Sequence, residues 1–313
     1  MEAFDLSGAL SALGVASASP AGAATVSTAG AAGDSVLLEN LPAHQYHSDK
    51  DALSCSLLKP LLISPAHFQT ALVTPCPSSP AKDFGTLLHL LVLQPDEVAS
   101  EVAVFTGGAR RGSAWTEFAA MNKDKLIVDG ATYDRAKKAA AKVLDTPYKG
   151  RSLGKFIEES KTEATVYFTD PTTGLRLRMR MDAYHPDVTL DLKSTRHALP
   201  RAFARDAVDL HYDLQGFMYS YGRAMYEGTS KLSPFVFVAA ESDAPHSVST
   251  LTAGESFIDN GAKKFQACLT AYVACTKAGE WPDLGSNAEI EIEPWQQFDA
   301  KSGWRDALNS RSA

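Results

Sequence analysis

The residues from Leu175 to Ser194 contain two aspartates and a lysine at a spacing that suits a divalent metal ion. Asp182 ends a segment in which apolar and polar residues alternate, and Asp191 and Lys193 alternate with two leucines. Carboxylates are the ligands that Mg²⁺ prefers, and a lysine beside them can orient water or offset charge on a phosphate. The pattern therefore indicates metal-assisted hydrolysis of a phosphodiester.

The two segments are predicted to form one β-hairpin. Side chains alternate across a strand, so Asp182 points away from the core, and Asp191 and Lys193 share one face of the second strand. A turn at residues 185–188, with proline at its second position, pairs Asp182 with Asp191. Opposed Cβ atoms are about 5 Å apart, close enough for both carboxylates to contact one cation. A solvated hairpin face is the alternative interpretation.

Several motifs in this order resemble the PD-(D/E)XK nuclease superfamily. They are Gly85-Thr86-Leu87-Leu88-His89, Asp182, Asp191-Leu192-Lys193 and Gln215-Gly216-Phe217-Met218-Tyr219. Further segments are similar to RecE-type exonucleases (exodeoxyribonuclease VIII), namely Tyr46-His47, residues 53–59, residues 64–68 and Glu163 with the strand that follows it. The resemblance extends from Tyr46 to about Trp295.

The resemblance implies a fold and an activity. The expected fold is α/β, with a restriction-endonuclease-like PD-(D/E)XK core in which helices flank a mixed central sheet. The expected activity is Mg²⁺-dependent 5′-to-3′ degradation of linear double-stranded DNA, which leaves 3′ single strands for an annealing protein. Ring-shaped homo-oligomers follow only by analogy. Another nuclease of the superfamily, an endonuclease or a single-strand-specific enzyme, and a non-catalytic DNA-binding protein remain as alternatives.

The resemblance also assigns roles to single residues. The expected metal ligands are His89, Asp182 and Asp191. The other catalytic candidates are Glu163, Lys193, Gln215 and Tyr219. In an apolar helix, His89 by itself is more typical of a core histidine, and only the resemblance favours a ligand. Gly85, one turn earlier, would let this helix approach the hairpin, and a histidine ligand would favour tolerance of Mn²⁺.

Candidate DNA contacts come from basic residues and one serine. They are Ser56, Arg110, Arg111, Arg176, Arg178 and Arg180. The strand alternation predicts that the arginines at 176–180 face outward. The resemblance implies that they then line the DNA path and hold its backbone. The net charge of −7 does not exclude DNA binding, because basic residues cluster locally while acidic ones include the metal-ligand candidates.

The elements that must position these residues follow from the sequence periodicity. Helices are predicted at residues 52–62, 84–93, 129–144, 199–206, 210–227 and 254–279, and strands at 164–169, 175–182, 188–193 and 234–240. Residues 74–80 form a proline-rich linker. Strands with flanking helices fit a mixed-sheet α/β core.

Composition predicts the domain organisation and the compartment. Residues 1–40 are expected to be a disordered tail, since Ala, Gly, Ser and Thr dominate them, and residues 41–313 a single exonuclease domain. No apolar stretch is long enough for a membrane span. A secretory signal is not expected, because its positively charged start is missing: the first basic residue is Lys50. The four cysteines, which contain no CxxC pair, fit reduced thiols in the cytoplasm of a bacterial or phage-infected cell.

Overall fold

The computed structural model describes residues 25–27, 35–74 and 77–285. The chain divides into one unit from Met1 to Pro282 and another from Asp283 to Ala313. All features below belong to the first unit. Most of the predicted tail and the residues after 285 lie outside the described residues, so the extension of one domain to residue 313 stays a prediction.

Short strands and helices alternate along the described residues. The strands are β1 (Thr25–Ser27), β2 (Val36–Glu39), β3 (Leu53–Ser54), β4 (Val102–Phe105), β5 (Leu126–Asp129), β6 (Pro147–Tyr148), β7 (Arg151–Ser152), β8 (Lys161–Thr169), β9 (Arg176–His185), β10 (Val188–Thr195), β11 (Phe235–Glu241) and β12 (Val248–Thr252). The α-helices are α1 (Ala43–Ser48), α2 (Cys55–Leu58), α3 (Pro65–Val73), α4 (Pro80–Leu93), α5 (Val98–Glu101), α6 (Gly112–Met121), α7 (Gly130–Asp145), α8 (Leu153–Glu158), α9 (Pro200–Asp209), α10 (Tyr212–Glu227) and α11 (Glu255–Ala278). Two 3₁₀ helices are found at Lys59–Leu62 and Pro95–Glu97.

One mixed sheet organises the fold. Within the described residues it has eight strands in the order β1-β2-β8-β9-β10-β11-β12, with β3 added beside β9. The pairs β10–β11 and β3–β9 are parallel, and the other neighbours are antiparallel. Two smaller sheets, β4–β5 and β6–β7, each have two strands.

Hydrophobic cores lie on both faces of the large sheet. On one face Met218 of α10 and Phe265 of α11 belong to the same buried cluster as Phe237. On the other face Leu88 of α4 belongs to a cluster with Val238. Successive residues of β11 thus serve opposite cores, as expected for a strand buried on both faces. The predicted α/β class, a mixed central sheet flanked by helices, is confirmed.

The hairpin β9–β10 has the predicted register but opens where the aspartates lie. Its turn is at residues 185–188, and its ladder ends with Leu190 opposite Ala183. Beyond this pair β9 continues beside β3, whereas β10 stays paired with β11. The strands therefore diverge one position before Asp182 and Asp191, and the predicted direct opposition of the two aspartates is not part of the ladder.

Most predicted helices are present with shifted ends. The helix expected at 52–62 divides into α2 and a 3₁₀ helix with Pro60 near its start. The buried helix expected at 84–93 begins earlier, at Pro80, because the hydroxyl of Ser79 accepts a hydrogen bond from the Lys82 amide as an N-cap. The sequence analysis did not predict β12 or the pair β4–β5.

Strand β2 corrects the predicted boundary at residue 40. Val36, Leu37 and Leu38 pair with β8, and none is more than 6% exposed. Averaged composition concealed this short strand, because three apolar residues weigh little among many small ones. The folded unit therefore begins before residue 40.

Three of the four cysteines lie within the described residues. Cys55, Cys268 and Cys275 are buried and unpaired, in agreement with reduced thiols. No helix in the described part of the chain is both long and apolar enough to cross a membrane.

The position of β2 leads to a test by truncation. A chain that starts at Ser35 should keep most of its stability, whereas one that starts at Leu41 should lose several kcal/mol. Each buried side chain of β2 contributes about 1.5–3 kcal/mol, which is a large share of a typical total of about 5–15 kcal/mol. Urea unfolding, monitored by circular dichroism, measures the unfolding free energy of both chains. Equal midpoints for the two chains would show that β2 is dispensable.

Candidate active site

His89 of α4 faces the opening between β9 and β10. Its Nδ1 lies 2.8 Å from the Gly85 carbonyl oxygen, and its Nε2 lies 3.1 Å from Asp182 Oδ2. A histidine that donates one ring N–H to a backbone carbonyl presents its other nitrogen in a fixed direction, as metal-binding histidines do. Gly85 allows the close approach, since a Cβ there would lie 3.1 Å from Ser194 Oγ. This geometry agrees with the predicted role of Gly85.

Asp182 lies in the gap between the diverging strands. Its Oδ2 accepts a hydrogen bond from the Leu192 amide at 2.6 Å in addition to its contact with His89. Burial alone would raise the pKa of Asp182, but His89, Lys193 and the Leu192 amide hold it below its ordinary value. Burial lowers the pKa of His89, yet Asp182 and the Gly85 carbonyl outweigh this effect and raise it to about 9. The two side chains therefore form a charged pair.

Asp191 is the most deeply buried carboxylate of the site, at 1% exposure. Lys193 Nζ lies 2.5 Å from its Oδ2, and Gln215 Nε2 donates to its Oδ1 at 2.7 Å. Burial, reinforced by the charge of Asp182, outweighs the attraction of Lys193 and raises the pKa of Asp191 to about 6. The alternative of a solvated hairpin face is wrong for this residue, because α10 covers it.

Lys193 lies between Asp191 and an aromatic ring. Its Nζ is 4.9 Å from the centre of the Tyr212 ring at the start of α10. Burial acts to lower the pKa of Lys193, but Asp191 and Asp182 raise it above its ordinary value, so the ammonium form is favoured. The sequence analysis missed Tyr212. Its position three residues before Gln215, on the same helix face, was the available signal.

Glu163 lies in β8 beside these residues with a strained backbone. Its φ of 51° is left-handed, a conformation that a non-glycine residue rarely adopts inside a strand. Arg180 lies 3.8 Å from its carboxylate. Burial and then Asp182 raise its pKa to about 7, although His89 and Arg180 act in the opposite direction. Strain of this kind often accompanies function, and the assignment of Glu163 to the site remains a prediction.

Tyr219 belongs to the core beneath the site. It is 8% exposed, and its ring centre lies 6.0 Å from that of Phe235. Burial raises its pKa well above the ordinary value. These contacts are those of a packing residue, and the catalytic role of Tyr219 stays a prediction.

The donor chemistry of the site fits a divalent cation. Within the described residues no three His, Cys, Asp or Glu side chains form a ready-made metal cluster. However, the buried Asp191 Oδ2 has the Lys193 ammonium as its partner at 2.5 Å, and His89 directs a nitrogen at Asp182. Each aspartate is in contact with a cationic side chain at the position where a metal would supply positive charge. His89, Asp182 and Asp191 are therefore suitable ligands once those ion pairs loosen.

Two of the predicted DNA contacts are instead engaged inside the fold. Arg178 is 2% exposed and donates to backbone carbonyls in segment 49–52. Arg180 donates to the Leu41 carbonyl at 2.7 Å. The Tyr46 ring lies against both guanidinium groups, at 5.0 and 4.4 Å. The prediction that these two arginines line the DNA path is wrong, because the segment around Tyr46 covers their face of the strand.

The other predicted DNA contacts are spread over the described chain. Arg110 donates to a backbone carbonyl of β5 at 3.0 Å and lies 5.5 Å from the ring of Trp115 in α6. Arg176 is half-buried, whereas Arg111 and Ser56 are exposed. Their roles as DNA contacts stay predictions.

Comparison with known proteins identifies the family. The family model described as "PDDEXK-like domain of unknown function (DUF3799)" matches residues 54–294, and the chain belongs to this family. A crystal structure of a "putative exonuclease" from Eubacterium rectale has a similar fold, with a TM-score of 0.53 and 14% sequence identity, covering 81% of this chain and 96% of that chain. No curated protein matches the chain. Membership of the PD-(D/E)XK group is confirmed, and the RecE type stays a prediction.

The buried carboxylates predict a stabilising effect of metal ions. We expect Mg²⁺ or Mn²⁺ to raise the thermal unfolding temperature by several degrees, because a ligand at about 100 times its Kd stabilises a protein by about 2.7 kcal/mol. Asp191→Asn should abolish the shift. Asp187→Asn, in the exposed turn of the same hairpin, should keep it. A full metal-dependent shift in Asp191→Asn, measured by differential scanning fluorimetry, would remove Asp191 from the ligand set.

The burial of Arg178 predicts a structural role. Arg178→Met should cost about 3–5 kcal/mol of unfolding free energy, because its removal takes the guanidinium donor from two backbone carbonyls and breaks the buried ion pair with Asp49. Arg176→Met, two positions away and half-buried, should cost much less. Urea unfolding compares the two variants. Normal stability with weakened DNA binding in Arg178→Met would restore the role predicted from the sequence.

Proposed function

We propose that this member of the PDDEXK-like family is a metal-dependent deoxyribonuclease that degrades linear duplex DNA from its 5′ ends. The observation that carries the proposal is the convergence of Asp182, Asp191 and Lys193 where β9 and β10 diverge, with His89 directed at the same point. Two carboxylates and a lysine beside a suitable nitrogen are the groups that phosphodiester hydrolysis requires.

The chain's own residues have separable tasks in this reaction. A divalent cation held by Asp182, Asp191 and His89 would supply positive charge to the scissile phosphate and would lower the pKa of a water molecule, so that this water can lose a proton and attack the phosphorus. Lys193 is positioned to orient the attacking water or to offset the charge that develops on the phosphate. Gln215 is a positioning residue, because its amide fixes one oxygen of Asp191 at 2.7 Å.

The direction of degradation rests on similarity rather than on site geometry. The motifs resemble RecE-type exonucleases, and the protein from Eubacterium rectale with a similar fold is described as a putative exonuclease. We infer 3′ single strands as products, an annealing protein as partner, and a ring of subunits that admits a duplex end, in the cytoplasm of a bacterial or phage-infected cell. Mg²⁺ is the inferred cofactor, with Mn²⁺ tolerated. An endonuclease or a single-strand-specific enzyme would use the same residues.

Degradation of end-labelled DNA tests the activity. The purified chain with Mg²⁺ should consume linear duplex progressively and leave covalently closed circles intact. Asp182→Asn and Lys193→Gln should lose cleavage by orders of magnitude while their circular dichroism stays unchanged. Lys138→Gln, at an exposed lysine of α7, should cleave normally.

Blocked ends separate the proposed exonuclease from the alternatives. A blocked 5′ end should stop degradation, and a blocked 3′ end should not. Cleavage of closed circles at the rate of linear DNA would indicate an endonuclease. Complete inactivity of the wild-type chain on every duplex and single strand, with Mg²⁺ or Mn²⁺, would overturn the nuclease proposal.

A further inference from the structure

A second lysine lies on the aromatic ring that contacts the active-site lysine. Lys59, at the start of the 3₁₀ helix Lys59–Leu62, places its Nζ 5.1 Å from the centre of the Tyr212 ring, and Lys193 lies 4.9 Å from the same centre. The two ammonium groups are therefore at most about 10 Å apart, because each lies about 5 Å from one point. Lys59 belongs to the surroundings of the site although it is distant in the sequence.

The position of Lys59 is fixed by the backbone around it. The Leu58 carbonyl is in contact with Cys268 Sγ at 3.5 Å, which ties this turn to α11. Lys59 Nζ then donates to the Leu210 carbonyl at 2.8 Å, in the link between α9 and α10. This half-buried side chain is thus anchored at both ends rather than free in solvent.

Lys264 reaches the same link and provides a contrast. Its Nζ lies 2.8 Å from Asp213 Oδ2, and Asp213 is completely buried. Lys264 therefore neutralises a buried carboxylate, and this structural role explains its position. Among the described residues no carboxylate forms an ion pair with Lys59.

Lys59 consequently carries positive charge that no ion pair within the described residues neutralises, although Asp191 and Asp213 act on it from a distance. An ammonium group has three donors, and the Leu210 carbonyl uses one of them. Burial and the neighbouring Lys193 lower the pKa of Lys59, so the fold keeps this cation at a cost. A ligand with negative charge would remove that cost and use the remaining donors.

We propose that Lys59 binds the backbone phosphate next to the scissile phosphate, so that Lys59 and Lys193 hold consecutive phosphates of one DNA strand across the Tyr212 ring. The inference rests on the proposed nuclease function, since it presumes that the scissile phosphate lies at Lys193. A pair of phosphates held at two fixed points would align the strand for attack. Lys59 is then a DNA-binding and positioning residue, not a metal ligand.

Neutral phosphate analogues test the contact directly. Duplexes carrying one methylphosphonate, moved along the 5′ end one linkage at a time, are bound in Ca²⁺ and followed by fluorescence anisotropy. In the wild-type chain, we expect neutralising one linkage to raise the Kd about tenfold, the size of a lost charge-assisted contact. In Lys59→Gln the same linkage should have no effect, while other linkages should affect both proteins equally.

Salt dependence and kinetics give a second measurement. Lys59→Gln should reduce the slope of log Kd against log salt concentration by about 0.9, the value for one phosphate contact on duplex DNA. Its KM should rise more than its kcat falls. Lys59→Arg should restore the salt slope and the KM, and Lys138→Gln should match the wild type in both measurements. Lys59→Met provides the same comparison if Lys59→Gln does not fold.

The outcomes separate this inference from the proposed function. If the wild type cleaves DNA but every methylphosphonate affects it and Lys59→Gln equally, Lys59 contacts no phosphate and the inference fails alone. A loss confined to kcat, with an unchanged salt slope, would mean that Lys59 acts through Tyr212 on Lys193, which also overturns it. A wild-type chain that neither binds nor cleaves DNA would refute both proposals.

Discussion

The divergence of β9 and β10 after a short ladder is the constraint on which the site depends. Where two strands part, their backbone groups need other partners. The Leu192 amide finds one in the Asp182 carboxylate at 2.6 Å, and β9 turns to β3 for its remaining pairing. The same break therefore opens space between the strands and supplies the hydrogen bond that orients a carboxylate within it.

Several charges gathered at this break compensate one another in a largely buried environment. Asp182 is paired with His89 and Asp191 with Lys193, while Glu163 lies near Arg180. Each pair offsets part of a desolvation cost that an isolated buried ion could not bear. Three carboxylates whose pKa values depend on one another also form a site where added positive charge has a large effect. Mutual compensation thus limits the cost of burying these charges and leaves a site suited to a cation.

The sequence predicted the hairpin, its register and its chemical groups because those depend on local alternation and on one turn. It could not predict burial, since alternation states which face a side chain occupies but not what covers that face. Asp191 is covered by Gln215, and Arg178 by the segment around Tyr46, both distant in the sequence. The contact of Lys59 with the Leu210 carbonyl spans 151 residues and left no pattern to detect. The resemblance to known nucleases predicted the family. Long-range packing determined which arginine side chains are free to contact DNA.

The burial of the β9 arginines changes how an acidic chain can hold DNA. Arg178 and Arg180 are engaged internally, so these two guanidinium groups do not supply the attraction to a duplex that the sequence predicted beside the metal-ligand candidates. Contacts limited to a few phosphates near the site would hold DNA weakly, since each phosphate contact adds to the affinity. If the proposed nuclease holds DNA in this way, repeated cleavage along one strand would require physical enclosure of the DNA, which the proposed ring of subunits would provide.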